Sequence, residues 1–227
     1  MATVALVGST GLVGSQILTA LTTLNSVGSV HAFSRKGLGA DAKIQGIPSQ
    51  DSSTWPTLYP SGVQLFISAL GTTRAQAGGF EKQRKIDYDL NLELAQAAKA
   101  AGTKSYVLVS SAGSSSSSSM GYAKMKGELE DAVKALNFDH TVIIRPGLLV
   151  GARNDLRTAE FALQKVASFM GSISGNKLKD FWAQDAEVVA RAAVKAGMDC
   201  VNGKQTEKVR VLTQADIIRL GRAEWKA

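Results

Sequence analysis

The chain has 227 residues, 44% hydrophobic and 20% charged, a balance and size that suit one α/β unit with a sizeable core. Its formal net charge of +7 favours anionic partners such as a phosphorylated cofactor or an acidic membrane surface, while the lack of a basic run interleaved with aromatics argues against nucleic acid. The single cysteine, Cys200, excludes an internal disulfide; the two histidines, His31 and His140, have no metal-site spacing; and no apolar run is long enough to span a bilayer.

A first strand is expected at Thr3–Val7, with no targeting segment before it, and a helix at Leu12–Thr23. Between and into them runs Gly8-Ser9-Thr10-Gly11-Leu12-Val13-Gly14. Each glycine has a mechanical reason. Gly8 permits a tight turn off the strand, Gly11 lets a pyrophosphate approach the backbone, and Gly14 lets the helix pack closely. The N–H groups at the helix start then face phosphate, so all seven residues are candidate dinucleotide contacts. The spacing is G-x-x-G-x-x-G, not the commoner G-x-G-x-x-G.

A second strand, Val30–Ser34, runs into Ser34-Arg35-Lys36. An acid after this strand would hold a ribose 2′-hydroxyl; a guanidinium matches a 2′-phosphate instead, which points to NADP(H). A weak third strand is expected near Lys43–Ile47, followed by Asp51, a candidate acceptor for an adenine amino group. Strand four, Val63–Ala69, ends at Leu70-Gly71-Thr72-Thr73. In an open parallel sheet ligands bind outside the carboxyl ends of the strands, so these four residues join the candidate cofactor set. A long helix, Glu81–Ala101, is stopped by Gly102.

Strand five, Tyr106–Val109, enters Ser110-Ser111 and then Gly113 with the six serines Ser114–Ser119, a low-complexity stretch that reads as a solvated, mobile linker. The next helix, Tyr122–Leu136, places Tyr122 and Lys126 on one face, whereas Lys124 faces elsewhere. An ammonium near a phenol favours phenolate and lowers its pKa, and a serine hydroxyl across the cleft can hold a substrate carbonyl. Ser111, Tyr122 and Lys126 are therefore the candidate catalytic set, with Ser110 as the alternative serine and with Tyr122 and Lys126 also near the cofactor. Strand six, Thr141–Ile144, ends at Arg145-Pro146-Gly147. Helices at Ala159–Phe169, Glu187–Ala196 and Ala215–Arg222, a turn at Gly171–Gly175 and a strand at Val209–Leu212 complete the pattern. The alternation argues for a single doubly wound parallel sheet over residues 1–227, with about 150–227 forming a small substrate-side cap.

Several of these segments together resemble the atypical branch of the short-chain dehydrogenase/reductase superfamily, and more closely the Tat-interacting-protein-like oxidoreductases. They are Gly8-Ser-Thr-Gly-Leu-Val-Gly14, Leu70-Gly-Thr-Thr-Arg-Ala-Gln-Ala-Gly-Gly79, Ile86-Asp-Tyr-Asp89, Ser110-Ser-Ala-Gly113, Tyr122 with Lys126-Gly-Glu128, and Arg145-Pro-Gly147. The likeness runs to about Arg157. It implies a Rossmann-like fold, NADP(H) binding, a Ser111–Tyr122–Lys126 site, Gly71 and Thr72 beside the cofactor, and Pro146 at its nicotinamide end. It supplies no substrate; the candidate site by itself reads as hydride transfer to or from a small carbonyl or alcohol. The fungal branch of the family implies peripheral attachment to the mitochondrial outer membrane, with a cytoplasmic location as the alternative. An NADP(H)-sensing or scaffold role without efficient turnover is the competing reading of function. Two departures stand out: Asp87 where the superfamily often has asparagine, and the serine stretch in place of a more structured loop.

Overall fold

A computed structural model describes residues 1–150 and 183–226. The expected helix at Ala159–Phe169 and the turn at Gly171–Gly175 lie outside the described residues. The order begins β1 (Ala2–Val7), α1 (Leu12–Thr23), β2 (Val27–Ser34), β3 (Ile44–Pro48), a 3₁₀ helix (Ser52–Leu58), and β4 (Leu65–Ser68). Next come α2 (Arg74–Ala77), α3 (Phe80–Arg84), a π-helical turn (Lys85–Leu90), α4 (Asn91–Ala100), β5 (Ser105–Val109), α5 (Gly121–Ala135) and β6 (His140–Ile144). After β7 (Leu148–Val150), the described C-terminal part holds β8 (Ala183–Asp185), α6 (Ala186–Val201), β9 (Val209–Leu212), α7 (Gln214–Ile218) and a second π-helical turn (Arg219–Ala223).

Seven strands form one sheet in the order β3-β2-β1-β4-β5-β6-β9, every neighbouring pair parallel. This is a Rossmann-like doubly wound fold. Parallel strands covered on both faces must be apolar on both sides, and β4, Leu-Phe-Ile-Ser, is buried at every position. One face packs against α1 and α6, where Ile17 and Leu21 meet Val189, Ala193 and Val194 over Val4 and Leu6. Gly197 allows that close approach, since a Cβ there would stand 2.8 Å from a Leu65 methyl. The other face is aromatic. Phe33, Tyr59, Phe66, Tyr106 and Phe138 contact in succession, with centroid separations from 6.1 Å down to 5.2 Å.

The C-terminal third contributes more than a cap. β9 is the seventh strand of the main sheet, and α6 fills its core. Cys200 lies in α6, buried as a small apolar residue, with its thiol pushed up to about 11 by desolvation. A separate two-stranded parallel sheet, β7 with β8, was not legible in the sequence. At the other edge, Lys43 donates to the carbonyls of Thr22 and Leu24 at 2.9 and 2.8 Å and so closes the C-terminal end of α1.

The strand order reverses between β1 and β4, so the connections leaving their carboxyl ends part to opposite faces of the sheet and leave a crevice outside them. That reversal places the glycine loop beside Leu70–Thr73.

Candidate functional site

The loop between β1 and α1 is built by contacts that admit no Cβ. Gly8 adopts φ +80°, and a Cβ on it would lie 2.4 Å from the Ala69 carbonyl oxygen. Gly14 meets the loop itself: its Cβ would fall 1.9 Å from the Gly8 oxygen. Gly11 differs. Its only close protein neighbour is the same oxygen, 3.2 Å from a built Cβ, and its other side opens into the cleft. Gly11 N–H donates to Gly8 at 2.9 Å, and the first turn of α1 has neither a capping side chain nor an acidic residue. The N–H groups of Leu12, Val13 and Gly14 belong to that turn, which has no intrahelical acceptor for them and favours an anion. Thr10 lines the cleft, while Ser9 is buried and donates to the Phe33 carbonyl at 2.9 Å, tying the loop to β2. The Ser9 hydroxyl therefore has a structural partner already.

The cleft has a volume of about 550 Å³ and reaches from Arg35 to Thr72. Ser34 and Arg35 both line it; the buried Ser34 hydroxyl donates to the Lys36 carbonyl and fixes the turn. Arg35 is exposed, and no carboxylate pairs with it among the described residues. The Lys36 side chain is not part of the wall. Asp51, expected at the adenine, instead caps the 3₁₀ helix: its carboxylate accepts from the Ser53 N–H at 3.0 Å and hydroxyl at 2.7 Å, which lowers its pKa. Ser52 and Trp55 take that wall. They were missed because a serine and a tryptophan in a polar stretch have no motif of their own.

At the other end Leu70, Gly71 and Thr72 line the cleft. Thr73 caps α2, accepting from Gln76 N–H at 3.2 Å, and the cleft wall continues at Gln76. Behind Gly71 is Asp87, 2% exposed, on the π-helical turn. Its Oδ1 accepts the Thr72 N–H at 2.7 Å. The freed carbonyls of that turn, Ile86 and Asp87, are taken by Asn91 Nδ2, at 3.2 and 3.1 Å, which also donates to Leu70 at 3.2 Å. The expected long helix is thus Phe80–Ala100 with a π-turn inside it, and the turn is what carries Asp87 under the loop.

The two serines after β5 separate cleanly. Ser110 is buried and donates to Glu130 at 2.5 Å, and Glu130 is held by a bidentate Arg145. Ser111 is half-buried; its hydroxyl donates to the Ala112 carbonyl at 3.4 Å and stands near enough to the Tyr122 phenol to oppose the rise in its pKa. The serine stretch is not a free linker. Ser114 is buried on the Ser111 carbonyl at 2.7 Å, and Ser115 N–H donates to Ala123 at 3.1 Å. Its backbone rests directly on α5 at Gly127, where a Cβ would come 2.1 Å from Ser115. Low complexity hid this because the contact is made by main chain against a glycine. Pro146 is buried, and its carbonyl accepts from Ala112 at 2.8 Å, clamping the β5 and β6 loops together.

Tyr122 and Lys126 lie one turn apart on α5, with different surroundings. Lys126 is 3% exposed and donates to the Val109 carbonyl at 3.3 Å. Desolvation lowers its pKa, against the pull of Asp87 and Glu130. Tyr122 is solvent-reachable in a cleft of dense protein, and its pKa is raised, first by burial and then by Asp87, with the Ser111 bond opposing. The sequence expectation was a lowered phenol. It fails in the protein alone because burial disfavours the phenolate, Asp87 adds a repelling charge, and the lysine is turned toward β5.

The comparisons with known proteins come in two kinds. The HIM1 family model matches residues 53–177, more than half the chain. "Protein fmp52-1, mitochondrial" of Aspergillus terreus is 49% identical over 98% of this chain and 100% of its own length. "Protein fmp-52, mitochondrial" of Neurospora crassa is 44% identical over 98% and 96%. Among solved structures, MoeE5 in complex with UDP-glucose and NAD superposes with a TM-score of 0.68 at 17% identity, covering 93% of this chain and 75% of that one. A short chain dehydrogenase family protein from Francisella tularensis gives 0.66 at 14%, covering 95% and 98%. At such identities the likeness establishes the fold.

Proposed function

This chain belongs to the HIM1 family together with the fungal fmp52 proteins, and from that premise we propose that it is an NADP(H)-binding oxidoreductase acting on a small carbonyl or alcohol. The observation that carries the reading is adjacency: the crevice runs from Arg35, which no carboxylate pairs among the described residues, past an uncapped helix start to Thr72, and the Asp87 that holds the Thr72 N–H acts on both Tyr122 and Lys126.

The residues fit a dinucleotide phosphate. Gly11 leaves space that a Cβ would occupy, and the first turn of α1 supplies donors and positive potential. Arg35 would take the 2′-phosphate, since a guanidinium binds it bidentately and no acid stands in the way. When bound, the nicotinamide supplies or accepts hydride. The chain's own part is proton handling. Ser111 orients the reacting oxygen, and Tyr122 gives or takes its proton. Lys126, which donates to the Val109 carbonyl in the protein alone, would turn from β5 toward the phenol and the ribose hydroxyls when the cofactor is bound.

Cofactor oxidation measured over a panel of aldehydes, ketones and quinones, beside Tyr122→Phe, tests the reading. A substrate turned over equally by both proteins would reject it. The second reading, a cofactor-sensing protein without efficient turnover, draws on the raised phenol of Tyr122. It predicts NADPH binding with no turnover on any panel member. By the names of its relatives the site of action is the mitochondrion, and we assign peripheral attachment at the outer membrane. Among the described residues no helix is long and apolar enough to cross a membrane. Release from isolated mitochondria by alkaline carbonate would support that placement; retention with the integral fraction would overturn it.

A further inference from the structure

Asp87 is the one buried carboxylate near the cleft that the proton-handling scheme leaves without a task. It is 2% exposed, and its surroundings are specific. Oδ1 accepts the Thr72 amide at 2.7 Å, and Oδ2 faces Gln83 Nε2 at 3.4 Å. The same Gln83 nitrogen donates to the Thr72 carbonyl at 3.0 Å, so both main-chain polar groups of Thr72 are tied to this pair. A Cβ on Gly71 would lie 3.9 Å from each Asp87 oxygen, which places the carboxylate directly behind the loop. The π-turn that presents it is held by Asn91, whose Oδ1 accepts from Ser68 and whose Nδ2 satisfies Leu70, Ile86 and the Asp87 carbonyl.

Across from this turn stands α5. The charged and titratable groups it turns toward Asp87 are Tyr122 and Lys126, with Glu130 farther along and itself paired to Arg145. Arg84, one residue after Gln83, is taken by Glu128 at 2.7 Å. Burial raises the Asp87 pKa, opposed by the Lys126 charge and by the Thr72 and Gln83 hydrogen bonds, while Lys126 is drawn by both Asp87 and Glu130 and donates to the Val109 carbonyl at 3.3 Å. Buried charges persist when they are paired and hydrogen-bonded.

We propose that Asp87 is a positioning residue of this site, tethering the Thr72 end of the nucleotide loop and supplying the buried negative charge that holds the Tyr122 phenol protonated until the site is loaded. An amide at this position would keep an acceptor for Thr72 but supply no charge. The carboxylate therefore links two jobs: loop shape, through its oxygen, and the charge state of the proton-transfer pair, through its ionisation. The proposal rests on Tyr122 and Lys126 being that pair.

The test compares Asp87→Asn with the unmutated protein by titrating the Tyr122 phenol, read as phenolate absorbance minus that of the matching Tyr122→Phe protein. No cofactor is needed. Tyr59 and Tyr106 are pushed far up by burial and stay silent in the accessible range. With the carboxylate charge gone, the phenol should ionise at lower pH while the melting temperature holds. A folded Asp87→Asn protein whose phenol titrates unchanged would overturn the proposal. Should that variant not fold, the Thr72 amide proton resonance of the unmutated protein decides: it must shift as Asp87 titrates, and an amide indifferent to acid would equally overturn it. NADPH titration separates the two readings. Asp87→Ala, losing both tether and charge, should bind NADPH more weakly than Asp87→Asn. A native protein that binds no NADPH yet shows the phenol shift would reject the cofactor reading and leave the positioning role intact.

Discussion

The two ends of the candidate site are built from different materials. The glycine-loop end is main chain: Gly8 against Ala69, Gly14 against Gly8, and the open first turn of α1. The proton-transfer end is side chains from three elements, with Ser111 after β5, Tyr122 and Lys126 on α5, and Asp87 on the π-turn, where it holds the main chain of the loop after β4. A site made of backbone is exposed to any added Cβ and indifferent to polar side chains. A site made of side chains has the opposite sensitivity, because its chemistry lies in a few atoms whose removal leaves the packing intact.

The largest expected effect lies at the side-chain end. Tyr122→Phe deletes one oxygen on a solvent-reachable ring, so the melting temperature and NADPH affinity should hold while turnover falls about 10²–10⁴-fold. A comparable loss of stability would show that the two ends are not separable in this way.

Next comes the loop. Gly14→Val drives a side chain into the Gly8 carbonyl and should cost about 3 kcal/mol in denaturant unfolding. Gly11→Val, facing the cleft, should leave that stability nearly untouched and remove the rise in melting temperature that NADPH gives the parent. Equal destabilisation by the two would erase the distinction drawn between a packing glycine and a ligand-facing one.

A third variant sharpens the border between the ends. Gly127→Val pushes the Ser115 backbone off α5 and should displace Ser111 with it, lowering turnover roughly tenfold to a hundredfold while NADPH affinity stays put. Unchanged turnover would mean that the serine loop does not position Ser111.

The smallest effect is expected at Arg35. Arg35→Ala should weaken NADPH by about 1 kcal/mol, one solvent-exposed charged contact, and leave NADH unchanged. Calorimetry giving equal affinities for both cofactors in the parent would remove the 2′-phosphate assignment. The pH dependence runs in a defined direction as well. Burial depresses Lys126 below an ordinary lysine, so NADPH affinity should decline on the alkaline side earlier than an exposed lysine would dictate, and Lys126→Met should flatten that decline.

The sequence by itself determined the parts whose physics is local. A glycine with φ +80° off a buried strand, a helix start with no cap, and apolar strands alternating with helices follow from residue type and spacing, so β1 to β6 and the glycine loop were legible. Tyr122 and Lys126 were also legible as a pair, because four residues on a helix make one face. Tertiary structure decided what surrounds them. Only packing shows that Ser110 is occupied by Glu130, that one oxygen of Asp51 caps its own helix, and that a run of serines rests on Gly127. Only packing turns Lys126 into β5 and brings Asp87 beneath Thr72, through a π-turn with no sequence signature. The reason is one of range. Backbone conformation and helical facing are fixed within a few residues, whereas desolvation and charge pairing depend on atoms that the chain brings together from 15 to 20 positions away.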